Sequence, residues 1–137
     1  MSFIIYSQTN GQLAVVSPTN NISIEQLVDT VIPANAPYKI VDTVDIDNDF
    51  FNAYDYSENG PVINISRAKE IQKNKFRSAR NSLLAKLDVD YMKADEIGNV
   101  QNKAEIAAKK QALRDITDIS LPDTLEGIKN TWPEILN

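Results

Sequence analysis

Neither cysteine nor histidine occurs among the 137 residues of this chain. Their absence removes disulfides, thiol chemistry, Cys/His zinc sites and histidine general bases together. A site built from carboxylates alone stays open, because Asp and Glu together number 19. No apolar run approaches the roughly 18 residues of a membrane span. The opening stretch MSFIIYSQTNGQLAVV has no basic leader and no small-residue cleavage site, so it reads as a strand pair and not as a signal peptide. Nothing matches a phosphate loop, a nucleophile elbow or a dinucleotide fingerprint. What is present is a globular balance: 42% hydrophobic and 24% charged residues, enough for one core or two small abutting ones.

The net charge of −5 is unevenly spread. Residues 1–65 hold one lysine against eight carboxylates, whereas residues 66–116 hold twelve Lys/Arg against seven, and the remainder is acidic again. An acidic front and a basic middle attract each other within one chain or between copies, so self-association is one expectation. The overall acidity disfavours nucleic acid as the partner, and no aromatic platform accompanies the basic segment.

The first half alternates like a small sheet. FIIYS and QLAVVS flank QTNG, whose Asn10-Gly11 is a hairpin signal. Ser23 followed by Gln26 is a capping-box pattern opening a short helix that Pro33 ends. YKIVDTVDI and VINI are further strand candidates on either side of the acidic, aromatic NDFFNAYDY and an ENGP turn. From Ser66 the period becomes helical, with no Gly or Pro before Gly98. Ala68, Phe76, Ala79, Leu83 and Leu87 share one arc of that helix, with a kink expected near Asp88. NKAEIAAKKQALRDI forms a second helix after a short turn, so the two should pack as an antiparallel hairpin. An irregular ISLP link, a short helix from Asp123 and TWPEIL close the chain. The expected fold is α+β: residues 1–65 form a small antiparallel sheet with a short helix, and residues 66–137 a helical hairpin with a short terminal helix and a Trp-Pro tail.

Several groups invite a functional reading, each beside a plainer one. Lys69, Lys73, Arg77 and Arg80 make a basic stripe on the first long helix, either a solvated flank or a surface for an acidic partner. Asp45, Asp47 and Asp49 suggest calcium, but Phe50 and Tyr56 occupy the positions where an EF-hand loop needs glycine and a bidentate glutamate. Turn and cap chemistry suits those acids better, and no metal or cofactor is expected. On the second helix Ala108, Ala112, Leu113, Ile116 and Ile106 define an apolar face that includes Lys109. Glu105 and Lys109, at i and i+4, make an acid–base pair in the helix-favoured orientation, and Lys109 either snorkels or meets Asp88 or Asp90 across the hairpin; a structural role is expected, an interface lysine being the alternative. Trp132 either folds back on its own helices or plugs a partner's groove.

The order of these pieces resembles the phage tail assembly chaperone-like family. The resemblance runs from about residue 22 to 137 and is carried by PYKIVD, VINISRAKEI, KFRSARNSLLAKLDVDYMKADE, AEIAAKKQALRDI and LEGIKNTWPEIL. The family pattern falls on Arg80, Leu84, Leu87, Asp88, Lys110, Gln111, Leu113, Arg114, Asp115, Trp132 and Pro133. It departs at Lys93, where an arginine is common, and in the short ISLP link. The resemblance implies a non-enzymatic partner of a bacteriophage tail or tail-fibre protein, working in the host cytoplasm during assembly. A structural component retained in the tail, baseplate or fibre of the virion is the alternative, and a small carboxylate-dependent enzyme a third. Lys69, Lys73, Arg77, Arg80, Lys110, Arg114, Trp132 and Pro133 are the expected partner-binding residues.

Overall fold

A computed structural model describes residues 2–19 and 21–137. The chain is α+β and divides into two compact units that meet at Ala68/Lys69, inside the first turn of a long helix.

The N-terminal unit is built on β1 (Phe3–Ser7), β2 (Leu13–Val16) and β3 (Tyr38–Val41), an antiparallel sheet in the order β2-β1-β3. Ile4 faces Val16 on one side and Ile40 on the other, so β1 is the central strand and both Ile4 and Ile5 are fully buried. The β1–β2 loop closes where expected. The Gln8 amide donates to the Gln12 carbonyl at 2.9 Å, Asn10 Oδ1 accepts from the Gln12 amide at 3.0 Å, and Gly11 takes φ 85°. That left-handed conformation is strained for a residue with a Cβ. β3 is shorter than the YKIVDTVDI run. Its last paired residue, Val41, already faces Phe3 at the start of β1, so the segment beyond has no strand to pair with.

Helix α1 (Ile24–Val31) starts on the expected capping box: Ser23 Oγ accepts from the Gln26 amide at 3.2 Å and Gln26 Oε1 from the Ser23 amide at 3.1 Å. The acidic run is spent on local structure. Asp47 caps a 3₁₀ turn over Asn48–Ala53, and its own amide donates to the Tyr54 hydroxyl. That turn buries Phe50 and Ala53. β4 (Tyr54–Asp55) and β5 (Val62–Ile63) form a separate two-stranded ladder instead of extending the first sheet. The Arg67 guanidinium, one turn into the next helix, binds the Asp55 carboxylate.

Helix α2 (Ile65–Glu96) begins on Asn64, whose Oδ1 accepts from the Arg67 amide at 3.1 Å. It runs uninterrupted through Asp88, where a kink was expected, because no Gly, Pro or inserted cap breaks its ladder. At 1.5 Å per residue it is about 48 Å long. It stops in a Schellman turn. Asn99 N–H donates to the Ala94 carbonyl and Gly98 N–H to the Asp95 carbonyl, with Gly98 at φ 70°. Asn99 then caps α3 (Val100–Arg114) through the Asn102 amide. One residue therefore ends one helix and starts the next, which fixes the hairpin with a minimal connection.

A 3₁₀ turn (Asp115–Asp118) leads to α4 (Leu125–Asn130), capped by Thr124 on the Gly127 amide, and a final 3₁₀ turn covers Glu134–Leu136. In this unit Phe76, Ala94, Ile106, Leu113, Ile116, Leu121, Ile128 and Leu136 are buried.

Candidate functional site

The functional candidates of the C-terminal unit sort onto three surfaces. The first centres on Trp132. Gln72, only 3% exposed, donates from Nε2 to the Thr131 carbonyl at 2.9 Å and so anchors the segment just before the tryptophan. Thr131 is held in turn by its hydroxyl, which donates to the Gly127 carbonyl at 2.7 Å. The indole meets the buried Phe76 ring edge-on, centroids 5.5 Å apart at 66°, a favourable aromatic geometry. The side chain therefore folds back on its own unit, the first of the two expectations, and stays 42% exposed. Its outer side, with Ile71, Asn74, Lys75 and Ser78, lines an open cleft of about 540 Å³. Pro133 follows, half-buried, and begins the last 3₁₀ turn.

The basic stripe is partly consumed by ion pairs within the chain. Lys69 Nζ lies 2.6 Å from Asp123, just before α4, and this hydrogen bond together with the lysine's charge holds the Asp123 carboxyl below its ordinary value. Arg77 binds Glu70 at 2.7 Å and Asn74 at 2.5 Å. Lys73 and Arg80 make no ion pair among the described residues, and Arg80 Nε is buried without a hydrogen-bond partner. Arg114 is exposed in the last turn of α3, where a cation suits the helix dipole.

The second surface is a clasp across the hairpin, and it corrects the expected ion pair. Asp88 is bound by Lys110 at 2.5 Å, not by Lys109. Glu105 accepts from Gln101 Nε2 at 3.4 Å instead of engaging Lys109. The reason is rotation. The inner face of α3 carries Ile106 and Leu113, flanked by Lys103 and Lys110, while Ala108 and Ala112 are exposed. Counting alanines as core residues had turned the face towards Lys109, although a methyl group contributes little to burial. Lys103 bonds Asp95 at 2.7 Å, and that hydrogen bond, then the carboxylate's charge, raises the lysine above its ordinary value. Between the two pairs lies Tyr91, with the Lys103 and Lys110 ammonium groups 5.6 and 5.5 Å from its ring centroid. Tyr91 was not among the sequence candidates. Its signal was spacing: Asp88, Tyr91 and Asp95 on one helix match Lys103 and Lys110, seven apart, on the other.

The third surface is the opposite flank of the same seam. One cleft of about 300 Å³ is lined by Leu87, Asp90, Lys93, Ala94, Ile106 and Lys109 among others. A second, of about 580 Å³, is lined by Leu83, Leu87, Asp90, Lys109, Leu113 and Glu134 among others. Because Leu87, Asp90 and Lys109 belong to both, the two form one trough along the hairpin. At its end, Ile97, which lines the first cleft, and Val100 at the hairpin turn are each 77% exposed.

Among the described residues no three Asp or Glu side chains are placed to hold a metal ion, and no helix is long and apolar enough to cross a membrane. Comparison with protein-family models, with curated proteins and with solved structures gives no match to this chain.

Proposed function

We propose that the protein is a non-enzymatic binding protein that engages a bacteriophage tail or tail-fibre protein as an assembly chaperone or adaptor in the host cytoplasm. The observation that carries the binding role is Trp132, held in place by Gln72 and Phe76 but left half-open on a cleft. A large, rigid aromatic with an exposed face contributes contact area at low entropic cost, which is why tryptophan dominates interface hot spots. Lys75 lines the same cleft, while Lys73, Arg80 and Arg114, in no ion pair among the described residues, offer positive charge elsewhere on this unit to an acidic partner. The tail assignment rests on the order of sequence motifs from PYKIVD to the closing WP.

Quantitative mass spectrometry of purified phage particles beside the infected-cell lysate tests this reading. An assembly factor is abundant in the lysate, absent from particles, and captures a tail or fibre protein that the Trp132→Ala variant loses. A fixed copy number per particle would make it a retained component of the tail. Capture of neither a tail nor a fibre protein would overturn the proposal.

A further inference from the structure

The trough between α2 and α3 carries charge of both signs in a particular order. Asp90 and Lys109 lie at its centre, since they line both clefts. Lys93 lines one end only and Glu134 the other end only. None of these four groups is in an ion pair among the described residues, whereas every charged partner on the clasp flank, Asp88, Asp95, Lys103 and Lys110, is paired. The trough walls also leave Leu83 and Leu87 partly exposed, although both belong to the apolar arc of α2. A two-helix layer covers only one side of its own apolar seam, and such hairpins are commonly completed by a second layer of helices.

We infer that this trough is the contact face of a symmetric pair of these chains, with Asp90 of each copy meeting Lys109 of the other and Lys93 meeting Glu134. A two-fold axis through the centre of the trough reverses its ends. That operation places Lys93 of one copy at the end where the other carries Glu134, and it crosses Asp90 with Lys109. One face thus supplies four contacts of opposite sign across the axis while Leu83 and Leu87 are covered. A partner helix of a single charge sign fits less well, because it would set like charge against either the lysines or the carboxylates. Lys86, the remaining charge of the lining, is exposed and is expected at the solvated rim. The Trp132 cleft shares no residue with the trough, so pairing leaves it open and the inference does not depend on the tail assignment.

The test is sedimentation equilibrium of the full chain from micromolar to millimolar concentration, at low and high salt. The wild type is expected to shift from monomer to dimer mass, with the dimer weakened by salt. Asp90→Lys and Lys109→Asp, each alone, place like charges across the axis and should remain monomeric with wild-type helical circular dichroism. Mixed in equal amounts they should restore the dimer, a result that pairing within one chain does not produce. A wild type that stays monomeric throughout would overturn the inference, as would single variants that dimerise like the wild type, or a mixture that does not. If either charge variant loses the fold, the cysteine-free background offers a second route. Lys93→Cys and Glu134→Cys chains, mixed and oxidised, should form a mixed disulfide dimer, and its absence would count against the geometry.

Discussion

The two halves of this chain solve different problems with similar amounts of sequence. In the N-terminal unit several of the distinctive residues are consumed locally. Ile4 and Ile5 fill both sides of the central strand, Asp47 caps a turn, and Ser23 and Gln26 cap each other. The C-terminal unit, which holds all but the first turn of the helix of about 48 Å, carries the trough, the cleft at the half-open Trp132 and several cations in no ion pair among the described residues. Both halves leave large apolar side chains exposed, Tyr38 and Ile40 in one and Ile97 and Trp132 in the other, but the clefts of the helical half reach about 540 and 580 Å³ against about 330 Å³ beside Ser7 and Pro37. That contrast, more than any single motif, underlies the proposed binding role of the helical half.

The contrast is breakable by substitution. The largest effect is expected from Phe50→Ala, since Phe50 is 1% exposed and its removal leaves a cavity worth about 3–5 kcal/mol of stability. Leu87→Ala, on the trough wall, should cost less, about 1–2 kcal/mol, because that side chain is only partly buried. Urea titrations of the two variants would compare the halves directly, and equal losses would mean that the trough is in truth a closed core.

A middling effect is expected at Gly127. A Cβ there would lie 2.7 Å from Pro122 Cβ and 2.9 Å from Thr124 Oγ1, so Gly127→Ala must shift the cap of α4. Overpacking of this kind costs about 1–3 kcal/mol. Thermal melts should show the loss, and because Thr131 bonds the Gly127 carbonyl, the fluorescence of Trp132 should change with it.

Smaller still is the pair that separates the observed hairpin from the expected one. Lys110→Ala removes the bond to Asp88 and a contact with Tyr91, a loss of about 1 kcal/mol. Lys109→Ala should stay within about 0.5 kcal/mol. The reverse order, read from denaturant midpoints, would restore the face centred on Lys109.

This is also where the legibility of the sequence ends. Caps and turns were readable because they depend on a few residues at fixed offsets: Ser23 with Gln26, Asn10-Gly11, and Gly98-Asn99 at the hairpin turn. The rotation of α3 was not, because a helix rich in alanine has no sharp apolar side until something packs on it. β3 likewise ended early for a reason outside its own residues, the length of β1 beside it. Of the site, the exposed face of Trp132 was legible only as one of two options, and Tyr91 escaped because its partners lie on another helix.

The smallest effects are electrostatic and have defined signs. Lys69 depresses Asp123, so that contact stabilises the fold above the ordinary carboxylate value near about 4 and is lost as pH falls through the lowered one. Asp95 raises Lys103, so its contribution is full below the ordinary lysine value of about 10.4 and is lost as pH rises through the raised one. Asp123→Asn should flatten the acid limb of stability against pH, and Lys103→Gln the alkaline limb. Unchanged limbs would mean that these exposed pairs are not held in solution.

Trp132 is the only tryptophan in the chain, and it offers the most direct measurement of the central claim. Protein labelled with 5-fluorotryptophan gives a single ¹⁹F resonance at the half-open face. On adding purified tail or tail-fibre protein, that resonance is predicted to shift and lose its sensitivity to solvent deuteration as the cleft is covered. A complex that forms while the resonance keeps its position and its solvent sensitivity would contradict the assignment of this face as the binding surface.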